Sequence, residues 1–152
     1  MIVNEASGLV LDFNCSGTNN SVSMRRKRRE GDGQIFVQDG SLIRAMENGK
    51  SSSKVLDLAD GKDIVLWEVH GGKNQRWVLH ADGTIRSEDS DLCFDVEGGS
   101  VDDGARVIAF RFHGGANQTF RLKEIPTRSL DICRKRGYTW LGYGYYHGCY
   151  HF

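Results

Sequence analysis

The phrase HGGKNQRW, His70 to Trp77, returns in the same chain as HGGANQTF, His113 to Phe120. A repeat constrains the fold more than any composition figure, since a unit of roughly forty residues cannot bury its apolar face alone and must share a core with its copies. Aligned on Gln34, Gln75 and Gln118, the repeat becomes threefold, and each glutamine opens a Gln-x-aromatic triplet: QIF, QRW and QTF. Upstream of each lies an apolar segment, VSM at 22–24, IVLWEV at 64–69 and VIAFRF at 107–112. Further upstream stands an aspartate between apolar residues: Asp12 in LVLDF, Asp57 in KVLDL and Asp95 in LCFDV.

Each unit reads as four short strands. The pairs Asp39-Gly40 and Asp82-Gly83 sit between apolar alternations and predict type I′ hairpin turns. No segment keeps a helical period of apolar residues. Nineteen glycines against one proline suit a chain of many tight turns, where positive φ is needed often. The length of 152 residues allows one main core. The expected fold is therefore all-β, with repeats at about 1–41, 42–84 and 85–123. A three-bladed propeller would be unusually small, so a closed threefold barrel fits better.

The order apolar-Asp-apolar, aromatic, then Asn-Gln-x-aromatic resembles the ricin-B-type (R-type) β-trefoil lectins. The likeness spans residues 1–123 and is sharpest in repeats 2 and 3. It implies a twelve-strand, pseudo-threefold barrel with room for a sugar pocket in each repeat. It also implies that the Gln-x-aromatic triplet is chiefly structural, with its aromatic in the core.

A sugar offers hydroxyls that donate and accept, and one apolar patch of C–H groups. Binding it from water calls for a fixed carboxylate, an amide and an aromatic face, and charge-assisted bonds make the carboxylate the anchor. Repeat 3 holds the fullest set: Asp95 as anchor, Phe110 as platform, Asn117 as amide, Ile108 as wall and His113 at the side, with Gln118 completing the motif. Repeat 2 offers Asp57, Trp67, Asn74, Val65, His70 and Gln75, but its LADGKD loop is shorter than EGGSVDDGAR in repeat 3. Repeat 1 keeps Asp12, Gln34 and Phe36, yet places Arg25 at the platform and Gly33 at the amide, so no ordinary sugar site is expected there. Its aspartate reads as a relic or a turn former.

Taken singly, each aspartate is a hairpin-end residue, each aromatic a core residue and each histidine part of its HGG turn. Their co-occurrence in fixed order, twice, points to binding. Galactose or N-acetylgalactosamine, with one broad apolar face, is what physics and resemblance together imply. The expected partners are galactose-containing glycans, bound without metal or cofactor. Separate pockets for the aspartates, and the lack of a nucleophile elbow or His-Glu-x-x-His, imply a non-catalytic protein.

The run RRKRRE, Arg25 to Glu30, is the sharpest charge feature in a chain of zero formal net charge. It reads as a solvated strand and loop; the alternative is a trefoil that binds anionic polysaccharide or protein through residues 25–29. Nucleic acid is not an expected partner, because aromatics and a wider basic surface are missing. Nor is membrane insertion, as no apolar run reaches the twenty or so residues of a span. Residues 124–152, rich in Tyr, Gly and His, form an aromatic extension expected to pack on the barrel or on a second copy, as in a homodimer. The start MIVNEASGLVLDF lacks a basic n-region, so a soluble, leaderless protein is expected, cytoplasmic or released by a non-classical route, with an extracellular one as the alternative. Sequons at Asn14, Asn19 and Asn117 bear on this, since a glycan on Asn117 would block the repeat 3 site. Cys93, within LCFDV, reads as a buried small apolar residue.

Overall fold

The computed structural model describes residues 1–13, 20–28, 33–47 and 49–123, and the backbone of two later strands. The chain forms a β-trefoil. Repeat 1 contributes β1 (Ile2–Asn4), β2 (Val10–Asp12), β3 (Ser23–Arg25) and β4 (Phe36–Asp39). Repeat 2 contributes β5 (Leu42–Glu47), β6 (Lys50–Ala59), β7 (Asp63–Glu68) and β8 (Trp77–Leu79). Repeat 3 contributes β9 (Ile85–Ser87), β10 (Leu92–Val96), β11 (Ala105–Arg111) and β12 (Phe120–Leu122).

Successive repeats are stitched by β4–β5 and β8–β9, and β12 returns to pair with β1. The hairpins β2–β3, β6–β7 and β10–β11 then meet one another in a ring, through Ser21↔Val65, Asp63↔Ile108 and Arg106↔Ser23. Within the hairpins, Asp12 faces Ser23, Asp57 faces Val65 and Asp95 faces Ile108. Each contact in the ring therefore joins one fixed position of a hairpin to another fixed position of the next. That register is the threefold symmetry.

The core follows the same symmetry. Ile2, Ile43 and Ile85 form one set, Val22, Ile64 and Val107 another, and Phe36, Trp77 and Phe120 a third, all in one buried cluster. Where the sets depart from identity, volume is exchanged between paired strands. Leu11 faces Met24 and Leu56 faces Leu66, but the larger Phe94 faces Ala109. A large residue offset by a small one conserves packing density, and such swaps are the tolerated kind. Phe94 also meets Trp77 and Phe120 edge-on, with ring centroids 4.8 and 5.9 Å apart. Trp77 buries its ring without stranding its polar atom, because Nε1–H donates to Leu56 O at 2.9 Å.

The expected type I′ turns are not found. Asp39 pairs with Leu42, so the two-residue loop is Gly40-Ser41, and only Gly40 has positive φ, at 62°. That is the pattern of a turn with glycine at its first central position. Between β8 and β9, Leu79 pairs with Ile85 and the loop spans 80–84, closed by the His80 N–H donating to Thr84 O. Here Asp82 accepts from both Thr84 N–H and Thr84 Oγ1–H, which holds its carboxyl below the ordinary range.

The aromatic extension falls mostly outside the described residues. Within it, β13 (Tyr138–Leu141) pairs with β14 (Gly148–His151), and β14 lies beside β4. Cys93 is buried as expected, and burial pushes its thiol up to about 11.

Candidate functional site

A nearly buried carboxylate costs free energy unless it is partnered. In repeat 2, Gln75 Nε2 donates to Asp57 Oδ2 at 2.8 Å and to Glu68 O at 2.9 Å, while its Oε1 accepts from His70 N–H at 2.9 Å. In repeat 3, Gln118 Nε2 donates to Asp95 Oδ2 at 2.8 Å and to Arg111 O at 2.7 Å, and Oε1 accepts from His113 N–H at 2.8 Å. Both glutamines are 0% exposed. They therefore stand behind the aspartates and fix them, with no surface of their own exposed.

The HGG turns explain why the first three letters of the phrase recur unchanged. Gly71 and Gly114 both take φ of 79°, a conformation that glycine adopts freely. The next glycine is needed for space. A Cβ on Gly72 would lie 2.6 Å from the His70 ring and 2.7 Å from Asn74 Oδ1, and one on Gly115 would lie 2.6 Å from both the His113 ring and Asn117 Oδ1. The same glycines donate their N–H to the imidazole Nδ1, at 3.0 and 3.1 Å. A neutral imidazole that accepts at Nδ1 carries its proton on Nε2. That nitrogen faces Asp57 Oδ2 in one repeat and Asp95 Oδ2 in the other, at 3.4 Å in each.

Two open cavities result. The first, about 420 Å³, is lined by Asp57, Val65, Trp67, His70 and Asn74, together with Ser21, Ala59, Asp60, Asp63 and Arg106. The second, about 530 Å³, is lined by Asp95, Ile108, Phe110, His113 and Asn117, together with Lys62, Glu97, Gly98 and Gly99. Every residue expected in the two pockets lines its cavity except Gln75 and Gln118. With its shorter loop, repeat 2 still forms an open cavity. Trp67 is 53% exposed and Phe110 49%, although both lie on strands whose neighbouring residues Leu66 and Ala109 are buried. Strand alternation turns each ring away from its buried neighbour, and both rings stand near the exposed ends of their strands.

The amides sit beside their anchors. Asn74 Nδ2 donates to Asp57 Oδ1 at 3.1 Å, and Asn117 Nδ2 donates to Val96 O at 3.2 Å. In repeat 3 the hydrogen bonds to the anchor fall on Oδ2, and among the described residues Asp95 Oδ1 has no hydrogen-bond partner. His113 also meets Phe110 edge-on at 6.3 Å, so it joins anchor to platform. Sequence reasoning missed Ser21, Lys62 and Arg106, which reach these cavities from neighbouring repeats.

Repeat 1 keeps the lock and fills it differently. Gln34 Nε2 donates to Asp12 Oδ2 at 3.0 Å and to Arg26 O at 2.9 Å, while Oε1 accepts from Arg28 N–H at 2.9 Å. Arg28 thus takes the histidine's place, and its guanidinium reaches Asp12 Oδ2 at 2.6 Å. Asp12 is a structural clamp, not a relic or a turn former. Arg25 faces Val10, two residues before Asp12, just as Trp67 faces Val55, two residues before Asp57. Arg25 therefore stands at the platform position, paired with Asp103 at 3.7 Å. Two cations of the basic run are in this way held by carboxylates, while Arg29 lies outside the described residues.

The family model for the ricin-type β-trefoil lectin domain matches residues 42–133. This chain belongs to that family. The matched span takes in repeats 2 and 3, which carry the two cavities described above. Among solved structures, a designed threefold-symmetric protein, ThreeFoil, is similar to this lectin at 28% identity and a TM-score of 0.64, covering 82% of this chain and 96% of that one. The C-half of the earthworm R-type lectin, solved in complex with GalNAc, shares 20% identity with a TM-score of 0.65, over 78% of this chain and 92% of that one. The agglutinin from Abrus precatorius shares 24% identity with a TM-score of 0.63, over 78% and 44% of the two chains.

Proposed function

We propose that this lectin binds galactose-type sugars, galactose or N-acetylgalactosamine, at two sites, one in repeat 2 and one in repeat 3. One observation carries the reading. In each repeat a nearly buried aspartate with a fixed hydrogen-bond frame lies in an open cavity beside a half-exposed aromatic and an asparagine. The carboxylate accepts from two neighbouring hydroxyls, the asparagine completes their bonding, and the ring covers the C–H patch of the sugar. The earthworm lectin C-half solved with GalNAc and the Momordica charantia protein solved with α-methyl-D-galactoside share this fold and support the sugar class. Single shallow sites of this kind bind at about 0.1–1 mM, roughly 4–5.5 kcal/mol, and two per chain gain through multivalency.

No metal or covalent step enters the reading, since the carboxylate and amide meet hydroxyls directly. The alternative through the basic run is disfavoured by the pairing of Arg25 with Asp103 and Arg28 with Asp12. Calorimetric titration with lactose tests the reading. Two sites are expected, with one lost in Asp57→Asn and the other in Asp95→Asn, because these changes keep shape and remove the anionic acceptor. Absence of any binding at tens of millimolar lactose sinks the galactoside claim.

A further inference from the structure

We propose that Lys62 makes the repeat 3 pocket select galactosides that carry an anionic substituent, while the repeat 2 pocket disfavours them. The inference rests on the sugar reading above and deepens it for one site. Lys62 belongs to repeat 2, yet it lines the cavity of repeat 3 with Phe110 and Asn117. Its backbone is tied at both ends: its N–H donates to Ala59 O at 3.1 Å, and its carbonyl accepts from Ala109 N–H at 2.7 Å. Ala109 sits between Ile108 and Phe110, so this bond fixes the lysine beside the platform strand. The side chain is exposed, and no carboxylate among the described residues lies in ion-pair range of it.

The matching bond in repeat 2 is made by Asn20, whose carbonyl accepts from Leu66 N–H at 2.8 Å. Its neighbour Ser21 is what reaches that cavity, and it carries no charge. The cation that does line the repeat 2 pocket, Arg106, is bound to Asp63 at 2.5 Å. Beyond the anchor, the repeat 2 pocket therefore keeps the charge of Asp60, with Asp63 and Arg106 cancelling. In repeat 3 the charges beyond the anchor are Glu97 and Lys62, which sum to zero without forming an ion pair. A sulfate or carboxylate on the sugar thus meets an uncompensated anion in one pocket and an available ammonium in the other. Attraction at an exposed site is modest and screened by salt.

The test is calorimetry at low and high salt with three probes: lactose, lactose sulfated on its galactose, and sialyllactose. With repeat 2 silenced by Asp57→Asn, at least one anionic probe is expected to bind roughly threefold to fivefold tighter than lactose at low salt, and this ratio should shrink at high salt. Lys62→Gln on that background should bring the ratio to one or below. With repeat 3 silenced by Asp95→Asn, the anionic probes should bind no better than lactose. A gain with only the sulfated or only the sialylated sugar supports the inference and names the group. A ratio unchanged by Lys62→Gln, or a gain in neither anionic probe, overturns it. Failure of lactose itself to bind would overturn the underlying sugar reading too, and the neutral arm keeps the two failures apart.

Discussion

In repeat 1 a guanidinium closes on the buried aspartate, Arg28 to Asp12 at 2.6 Å; in repeats 2 and 3 an imidazole stands at the same position, 3.4 Å from Asp57 or Asp95. Behind all three carboxylates the glutamine bonds are alike. The shared part holds the hairpin of each repeat to its Gln-x-aromatic segment, so it belongs to the fold. The difference lies in front of the aspartate, where a guanidinium closes on Asp12 while Asp57 and Asp95 line open cavities. Pseudo-symmetry therefore explains why Asp12 persists without a sugar platform: its pairing with Gln34 and Arg28 is a structural use.

The largest expected effect separates core aromatics from platform aromatics. Trp77→Ala empties a fully buried site and should cost about 3–5 kcal/mol in denaturant unfolding. Trp67→Ala, ten residues away and half exposed, should change stability by no more than about 0.5 kcal/mol while weakening repeat 2 sugar binding. Equal destabilisation by the two would mean that Trp67 is core, and the pocket would lose its platform.

Next comes the clamp. Asp12→Ala strips an acceptor from both Gln34 and Arg28, and should lower stability by about 1–3 kcal/mol without changing the number of lactose sites. Loss of a lactose site in that variant would show that repeat 1 binds sugar, and the contrast between the repeats would fall.

Gly115→Ala tests the HGG turn. The added methyl meets the His113 ring and Asn117 Oδ1 at 2.6 Å, so ring and amide must both shift. Overpacking of this kind costs about 1–3 kcal/mol, and repeat 3 binding should fall while repeat 2 binding stays. Unaltered repeat 3 binding would mean that neither side chain positions the sugar.

Much of this was legible in the chain because threefold symmetry prints the same residues three times. The aspartates, the Gln-x-aromatic triplets and the apolar segments between them all follow from alignment. Arg28 did not, for a reason of spacing. It lies six residues before Gln34, whereas His70 and His113 lie five before their glutamines, so the two cannot be matched by register. Ser21, Lys62 and Arg106 were hidden for another reason: they reach the cavities across repeat boundaries, and only the ring of hairpin pairings brings them there. The turn at Gly40-Ser41 was misplaced by one residue because Asp-Gly favours one turn, while the pairing of Asp39 with Leu42 imposes another.

The smallest expected effect compares the two pockets with each other. Both platforms lie at the same strand position and are about equally exposed, 53% for Trp67 and 49% for Phe110, so they differ mainly in the area of ring offered to the sugar. An indole presents the larger face, and Phe110→Trp should tighten repeat 3 for lactose by about threefold, with Trp67→Phe loosening repeat 2 by a similar factor. The exchange leaves anchor and amide alone, and the half-exposed position has room toward solvent, so melting curves should hardly move. Read by calorimetry with the other pocket silenced, the two changes should act in opposite directions. Affinity that ignores the exchange would mean that the sugar is held by Asp95 and Asn117 without stacking, and the exposed aromatics would need another partner to explain them.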